Sequence, residues 1–264
     1  MYNVDLNCDL GESFGPWKMG RDTEVIPLVS SVNIACGFHA GDPCVMQQTV
    51  ALAKKNAAAV GAHPGFPDLS GFGRRSMGLS PAEVKAAIQY QIGALDAFCR
   101  AAAVPLVHVK PHGALYNMAA KDPVLAKAAA EAVSEINPRL LLLCLAGSAM
   151  VKAAKEAGLT AVEEVFADRA YEDDGTLADR RKPGAMITCE DEAVSRVVEM
   201  IKTGRTHSIN GKEIAVKADS VCVHGDGEAA LLFVRKLNET FSREGIRVIS
   251  PWAAGKNGRP GDPS

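Results

Sequence analysis

The feature that most constrains this chain is a repeated alternation of short apolar runs with longer amphipathic stretches. Runs at residues 4–8, 32–36, 58–62, 106–109, 140–145, 161–166 and 220–223 are too short for ordinary helices, and most are rich in Val, Ile or Leu. They read as buried strands. The stretches between them carry helix start signals. Asp42-Pro43 and Asp122-Pro123 each place an N-cap residue before a proline at the first helical position, and Ser80-Pro81-Ala82-Glu83 supplies a capping box. After that box, Val84, Ile88, Ile92, Leu95 and Cys99 recur at spacings of four, four, three and four, an apolar stripe suited to packing on a sheet. Further helices are predicted near 190–203 and 227–244. Strand–helix repetition implies an α/β protein with a parallel sheet and right-handed crossovers. Seven strands build either an open doubly wound sheet or a closed, irregular barrel.

Two stretches break the pattern. Residues 207–218 hold Asn210-Gly211 between short runs, which predicts a type I′ hairpin. Residues 168–183 (DRAYEDDGTLADRRKP) are dense in charge and lack periodicity, a composition that favours a solvated loop over an active-site lid. No linker is rich in Pro, Gly or Ser, so residues 1–252 read as one domain and 253–264 as a flexible tail. The 264 residues carry 29 basic and 31 acidic side chains, a formal net charge of −2, which offers no basic footprint for nucleic acid or an anionic membrane. The longest apolar run, 140–146, falls far short of the roughly 18 residues of a membrane span. The opening MYNVDLNCDLGE lacks the basic start and apolar core of a signal peptide, and the cysteines are odd in number with no CxxC pair. Both point to reduced thiols and a cytoplasmic protein.

Polar residues gather directly after the apolar runs: Cys8-Asp9-Leu10-Gly11-Glu12, Gly37-Phe38-His39-Ala40-Gly41-Asp42, His63-Pro64-Gly65, Lys110-Pro111-His112-Gly113, Ala167-Asp168-Arg169 and His224-Gly225-Asp226. In a parallel α/β fold these positions share the C-terminal edge of the sheet, where such folds build their sites. The expectation is a rim of Asp9, Glu12, His39, His63, Lys110, His112, Asp168 and Asp226. Imidazoles beside carboxylates suit a divalent transition metal, with Asp9, His39, His63 and His112 as the candidate ligands, although no HExxH or Cys/His zinc spacing occurs. The competing use is proton transfer by Asp or His, with Lys110 or Arg169 stabilising an oxyanion or phosphate. The turn Gly71-Phe72-Gly73-Arg74-Arg75 could hold an anion through backbone amides and guanidinium groups. There is no GxxxxGK[ST] loop and no GxGxxG after the first run.

The blocks DLNCDLGE (5–12), NIACGFHAGD (33–42), GAHPGFPD (61–68), VKPHGALY (109–116), FADRAY (166–171) and VHGD (223–226) closely resemble the LamB/YcsF family, in the same order from residue 3 to about 250. The resemblance implies a seven-stranded, irregular parallel β/α barrel similar to the glycoside hydrolase/polysaccharide deacetylase type, a superfamily in which an Asp–His–His metal site hydrolyses amides. It also implies ATP-dependent opening of 5-oxoproline to L-glutamate, with Mg²⁺ and two further subunits, B and C. Placed on the matching blocks, the catalytic roles fall to Asp9, Glu12, His39, Lys110, Asp168 and Asp226. Substrate or nucleotide contacts fall to Asn7, Asn33, Gly37, Asp42, Arg74, Tyr116, Arg169 and His224. The alternative is a metal-dependent amidase or carbohydrate deacetylase acting without ATP. Because no Walker loop is present, the chain alone is expected to be inactive on 5-oxoproline.

Overall fold

Every apolar run becomes a strand in the computed structural model, which describes residues 2–223 and 228–256. In chain order the strands are β1 (Tyr2–Leu10), β2 (Ser31–Ala35), β3 (Ala59–His63), β4 (Leu106–Val109), β5 (Leu141–Leu145), β6 (Thr160–Phe166), β7 (Arg205–His207), β8 (Glu213–Ala215), β9 (Ser220–Val223) and β10 (Ile246–Val248). The helices are α1 (Asp22–Val25), α2 (Pro43–Lys55), α3 (Pro81–Ala101), α4 (Gly113–Lys121), α5 (Pro123–Ile136), α6 (Ala149–Glu156), α7 (Glu190–Thr203), α8 (Glu228–Arg243) and α9 (Pro251–Lys256). Strands β1 to β6 pair in sequence, all parallel, and β9 pairs with both β6 and β1. The sheet therefore closes into a seven-stranded barrel, which decides between the two topologies the sequence allows. Closure is set by β1, which matches Asn7 to Ser31 on one side and Asp5 to Ser220 on the other. Strand β10 extends β1 outside the barrel.

The helices begin where their caps predict. Asp42 accepts from the amides of Cys44 and Val45, Asp122 does the same for Val124 and Leu125, and the Ser80–Glu83 box is complete. In α3 the stripe Val84, Ile88, Ile92, Leu95 and Cys99 is buried to 2% exposure or less. Burying side chains of this size contributes roughly 1.5–3 kcal/mol each. These helices and the outward faces of the strands make up the apolar core, so it lies between barrel wall and helix layer.

Three local expectations change. Residues 205–215 do form an antiparallel hairpin, but its turn is not type I′. That type needs a positive φ at both central residues, whereas Gly211 has φ +81° and Asn210 does not adopt one. The Ser208 hydroxyl instead accepts from the amides of Asn210 and Lys212 and organises a wider loop. Residues 168–183 keep most of their charges exposed, as a solvated loop would, but Arg169 and Tyr171 sit in isolated bridges with Met186 and Leu177, and the segment folds back as a strap over the barrel mouth. At the C-terminus, α9 runs through Lys256; the expected tail from residue 257 onward lies outside the described residues.

Candidate active site

Side chains alternate across a strand, and on β1 this sends Asp5, Asn7 and Asp9 into the bore. Barrel interiors of this class are commonly packed with branched apolar residues. Here the bore is polar and organised in tiers. In the lowest, Asp5 accepts from the hydroxyls of Ser30 (2.6 Å), Ser31 (2.8 Å) and Ser220. Burial pushes its carboxyl up to about 6, against the lowering effect of those hydroxyls. Above it, Asn7 Nδ2 donates to Ser220 Oγ (2.7 Å) and Glu164 Oε1 (2.8 Å). Asn33 Nδ2 donates to Asn7 Oδ1 (2.7 Å) and Asp9 Oδ1 (2.8 Å). The remaining Asn33 oxygen takes the Nε2–H of His108 (2.7 Å).

Lys110 stands on this platform. Its ammonium meets Glu164 Oε1 at 2.8 Å, Asp9 Oδ1 at 3.0 Å, Cys222 Sγ at 3.1 Å and Asn7 Oδ1 at 3.2 Å, with the Phe166 ring 5.4 Å away. Burial alone would lower its pKa; the Asp9 and Glu164 carboxylates outweigh that and hold it well above the ordinary lysine range. An ammonium has three protons, so all of them are engaged. A ligand oxygen gains one only by displacing the weakest acceptor, the thiol. Glu164 is fully buried and also accepts from Tyr116 OH at 2.7 Å. Burial, then the neighbouring Glu164, keeps that phenol protonated.

Beside Lys110 the ends of β2, β3 and β4 bring three histidines together. His63 Nδ1–H donates to the Lys110 carbonyl (2.7 Å), and His112 Nε2–H donates to the Phe72 carbonyl (2.8 Å). A carbonyl only accepts, so both tautomers follow, and the free lone pairs of His63 Nε2 and His112 Nδ1 face each other at 2.9 Å. Two lone pairs at that separation repel unless a cation, proton or metal, lies among them. His39 stacks on His112 with centroids 3.7 Å apart, and both of its ring nitrogens are buried without a hydrogen-bond partner. Burial first, then its histidine neighbours, holds His39 well below the ordinary range, and pushes His112 down to about 3. Both rings are therefore neutral at physiological pH. Glu12 Oε1 is 3.6 Å from His39 Nε2 and from His112 Nδ1, while Asp9 Oδ2 is 3.4 Å from His63 Nε2. The set whose donor atoms all lie within 4.8 Å is Glu12, His39, His63 and His112, so Glu12 takes the place expected of Asp9. Three imidazoles and a carboxylate with orphaned nitrogens fit a divalent transition metal. Two glycines make room for the rings: a Cβ on Gly65 would lie 2.7 Å from His39 Nδ1, and one on Gly73, at φ +63°, 2.8 Å from His112 Cδ2.

These groups floor a cavity of about 810 Å³, lined by Asp9, Glu12, His63, Lys110 and His112 below and by Arg74, Lys121, Arg169 and the strap above. Tyr116 lines it while bound to Glu164. Other expected contacts lie elsewhere. Asn7 and Asn33 are in the bore beneath the floor, Asp42 caps α2 and also accepts from Gly15 N (2.8 Å), and Gly37 turns the chain at φ +97°. Asp168 opens the strap, its carbonyl accepting from Ile187 N (2.9 Å). The roles expected of His224 and Asp226 fall on positions outside the described residues. In the Gly71–Arg75 turn, Gly71 N (3.0 Å) and Arg75 both bond Asp68, so those donors are spent internally and the turn serves His112 through the Phe72 carbonyl. The residue that strand-end reading missed is Glu164. Its signal was a charged pair inside an apolar run, together with the period-two polar series Asp5, Asn7, Asp9.

A family model described as "LamB/YcsF family" matches residues 4–255, nearly the whole described chain. The chain belongs to the LamB/YcsF family. Among LamB/YcsF relatives, the protein named as the A subunit of 5-oxoprolinase in Clostridium beijerinckii is 61% identical over 249 residues, covering 94% of this chain and 98% of the relative. The protein of the same name from Bacillus thuringiensis subsp. konkukian is 54% identical over 252 residues, covering 95% and 100%. The crystal structure of the lactam utilization protein from Thermus thermophilus superposes with a TM-score of 0.88 at 48% identity, covering 94% of this chain and 99% of that one.

Proposed function

We propose that this chain is the ring-opening component of a cytoplasmic, ATP-dependent 5-oxoprolinase, working with two partner subunits, B and C, and Mg²⁺-ATP. The relatives' shared name and the lactam utilization neighbour support the substrate. The observation that carries the chemistry is a single cavity floor on which the buried Lys110 ammonium lies beside Glu12, His63 and His112, with His39 stacked on His112 and completing the cluster. In the reaction the γ-phosphoryl group of ATP passes to the lactam oxygen with release of ADP, water oxygen adds to the carbonyl carbon, the C–N bond breaks with a water proton ending on the freed nitrogen, and a second water releases the phosphoryl group as inorganic phosphate. The lactam is a resonance-stabilised amide and a poor electrophile; phosphorylation of its oxygen by ATP supplies the activation. Lys110 stabilises negative charge developing on the floor. Asp9, held by Lys110 and Asn33 yet partly open to the cavity, takes the proton of the attacking water. Asp9 then passes that proton to the departing ring nitrogen. Arg169 and Arg74 face the substrate's anionic groups. Glu12, His39, His63 and His112 would hold a divalent metal, which when bound supplies polarisation of an oxygen ligand.

That donor set also favours a second reading, a metal-dependent amidase acting without ATP. One experiment separates the two. Glutamate release from 5-oxoproline is measured with the chain alone and with its partner subunits, each with and without ATP and a chelator. Activity that requires both ATP and the partners supports the first reading. ATP-independent, chelator-sensitive hydrolysis by the chain alone replaces it with the second.

A further inference from the structure

On the arc of the rim away from the strap, large apolar side chains face solvent. In the closed circle of strands β2 lies across from β5 and β6, and β6 leads into the strap. On the β2 side Trp17 is 71% exposed, Tyr90 65% and Met19 41%, while Phe38 is half-buried. They belong to one ledge. The Phe38 ring stacks on Tyr90 of α3 with centroids 5.3 Å apart. The loop carrying Trp17 and Met19 is tied to the loop carrying Phe38, with Gly41 N donating to the Ser13 carbonyl (3.0 Å) and Gly15 N to Asp42 Oδ2 (2.8 Å). The first loop leaves β1 directly after Glu12, and Phe38 precedes His39, so anything seated on the ledge borders the Glu12/His39/His63/His112 cluster.

Trp17 is held ready for a partner. Phe14 and Trp17 exchange both backbone hydrogen bonds, each 3.0 Å, across Gly15-Pro16, with Gly15 at φ +53°, and Ser13 Oγ accepts from the Met19 amide at 2.9 Å. A turn closed in this way loses little conformational freedom on association. Tryptophan and tyrosine are the side chains in which interface energy concentrates. Aromatic side chains bury about 150–250 Å² each when covered, so at these exposures the ledge offers on the order of 400 Å² of apolar surface. One side of a standard protein–protein interface covers roughly 800 Å², a little over half of it apolar. The ledge therefore supplies the apolar share of one such side. The relatives carry the name of an A subunit, a component of a larger assembly. A second copy of this chain suits the ledge less well: two-fold pairing there sets mouth against mouth and brings neither site a new chemical group.

We propose that this ledge is the docking surface for the partner subunit that activates the lactam, a protein presenting an apolar pocket to the Trp17 indole and an apolar shelf to Tyr90. The inference rests on the reading above that partner subunits supply the activation. Docked there, the partner closes the side of the mouth that the strap leaves open, next to the floor where the lactam lies.

The test measures association of the purified full chain with the B and C subunits by sedimentation velocity. A Trp252→Phe chain labelled with 5-fluorotryptophan adds a single ¹⁹F resonance that reports Trp17 alone. That resonance is expected to shift when the unlabelled partners are added. Trp17→Ser and Tyr90→Ser are each expected to weaken the association by roughly 10- to 100-fold, and to raise by the same factor the partner concentration that gives half-maximal glutamate release. Val124→Ser, at a comparably exposed apolar position on α5, changes the affinity less than twofold. An unshifted resonance, or Trp17 and Tyr90 variants that bind as the parent does, overturns the proposal. So does a chain that dimerises on its own and is returned to monomer by Trp17→Ser, which makes the occupant a second copy. If the partners bind at the ledge but the complex makes no glutamate from 5-oxoproline, the lactam reading falls and the docking surface stands. ATP-dependent glutamate release by a complex whose affinity ignores both substitutions does the reverse.

Discussion

At the scale of single residues, the site is governed by how two carboxylates share one ammonium. Lys110 neutralises Asp9 and Glu164 together, and only Asp9 keeps a face toward the cavity. Lys110→Ala is expected to lower turnover of the assembled enzyme by about 10²–10³. The same change strands Glu164 as a buried charge, an effect on the order of 3–5 kcal/mol, so the variant also melts earlier. The double variant Lys110→Met/Glu164→Gln separates the two effects: its melting temperature recovers while its turnover does not. Recovery of turnover would make Lys110 a structural group only. Glu164→Gln alone keeps the shape and the Tyr116 contact but removes one of the two countercharges that raise the lysine. The expected result is a fall in kcat of about tenfold with KM unchanged, and a basic limb of the pH–rate profile shifted to lower pH, since one countercharge is worth roughly a pKa unit or more. A structural role would leave that limb where it was.

At the scale of elements, strands and helices were legible because apolar run lengths and caps are local signals, and the rim was legible because a parallel sheet puts its strand ends on one side. His39, His63 and His112 could be read in this way before their rings were seen to touch. Glu164 could not: Glu163 and Glu164 are adjacent, and only the register of β6 on β9, which pairs Glu164 with Ser220, decides which one enters the bore. The strap was legible in part: Asp173, Asp174, Asp179, Arg180, Arg181 and Lys182 are exposed as their composition suggests, while the burial of Arg169 and Tyr171 that anchors the segment over the cavity has no local signal. A further dependence between elements is hidden in β3. Gly61 has no side chain because the His108 ring of β4 occupies that space; a Cβ there would come within 2.0 Å of His108 Nε2. Gly61→Ala therefore expels the ring that holds Asn33, and through Asn33 the Asp9 carboxylate. Overpacking of this kind costs roughly 1–3 kcal/mol, seen as a lower denaturant midpoint with an unchanged slope. A midpoint equal to the parent's would mean that His108 is not the strut the bore depends on.

For the molecule as a whole, a barrel filled with polar tiers ties its stability to pH more strongly than an apolar one would. His108 is fully buried, and burial, then the Lys110 charge above it, pushes its pKa down to about 3. The unfolded chain takes up that proton near the ordinary value of 6.5, so between 6.5 and about 3 the unfolded state binds more protons than the native one, and stability is lost as pH is lowered. The contribution is fully present above 6.5 and amounts to a loss of about 2 kcal/mol by pH 5 for one such histidine. His39 and His112 act in the same direction. Asp5 acts in the other: its carboxyl is raised from 3.8 to about 6, so the native state binds the extra proton in that window, and its contribution is present at low pH and lost as pH rises through about 6. With three histidines against one carboxyl, the melting temperature is expected to drop steadily as pH is lowered from 7 to 4. His108→Gln keeps a donor for Asn33 but removes one titrating group, so its melting temperature should fall less steeply than the parent's, the two curves converging toward acid. Differential scanning calorimetry at half-unit pH steps measures this directly. Parallel curves would show that His108 is already protonated in the native barrel, and the tautomer assigned from its bond to Asn33 would have to be given up.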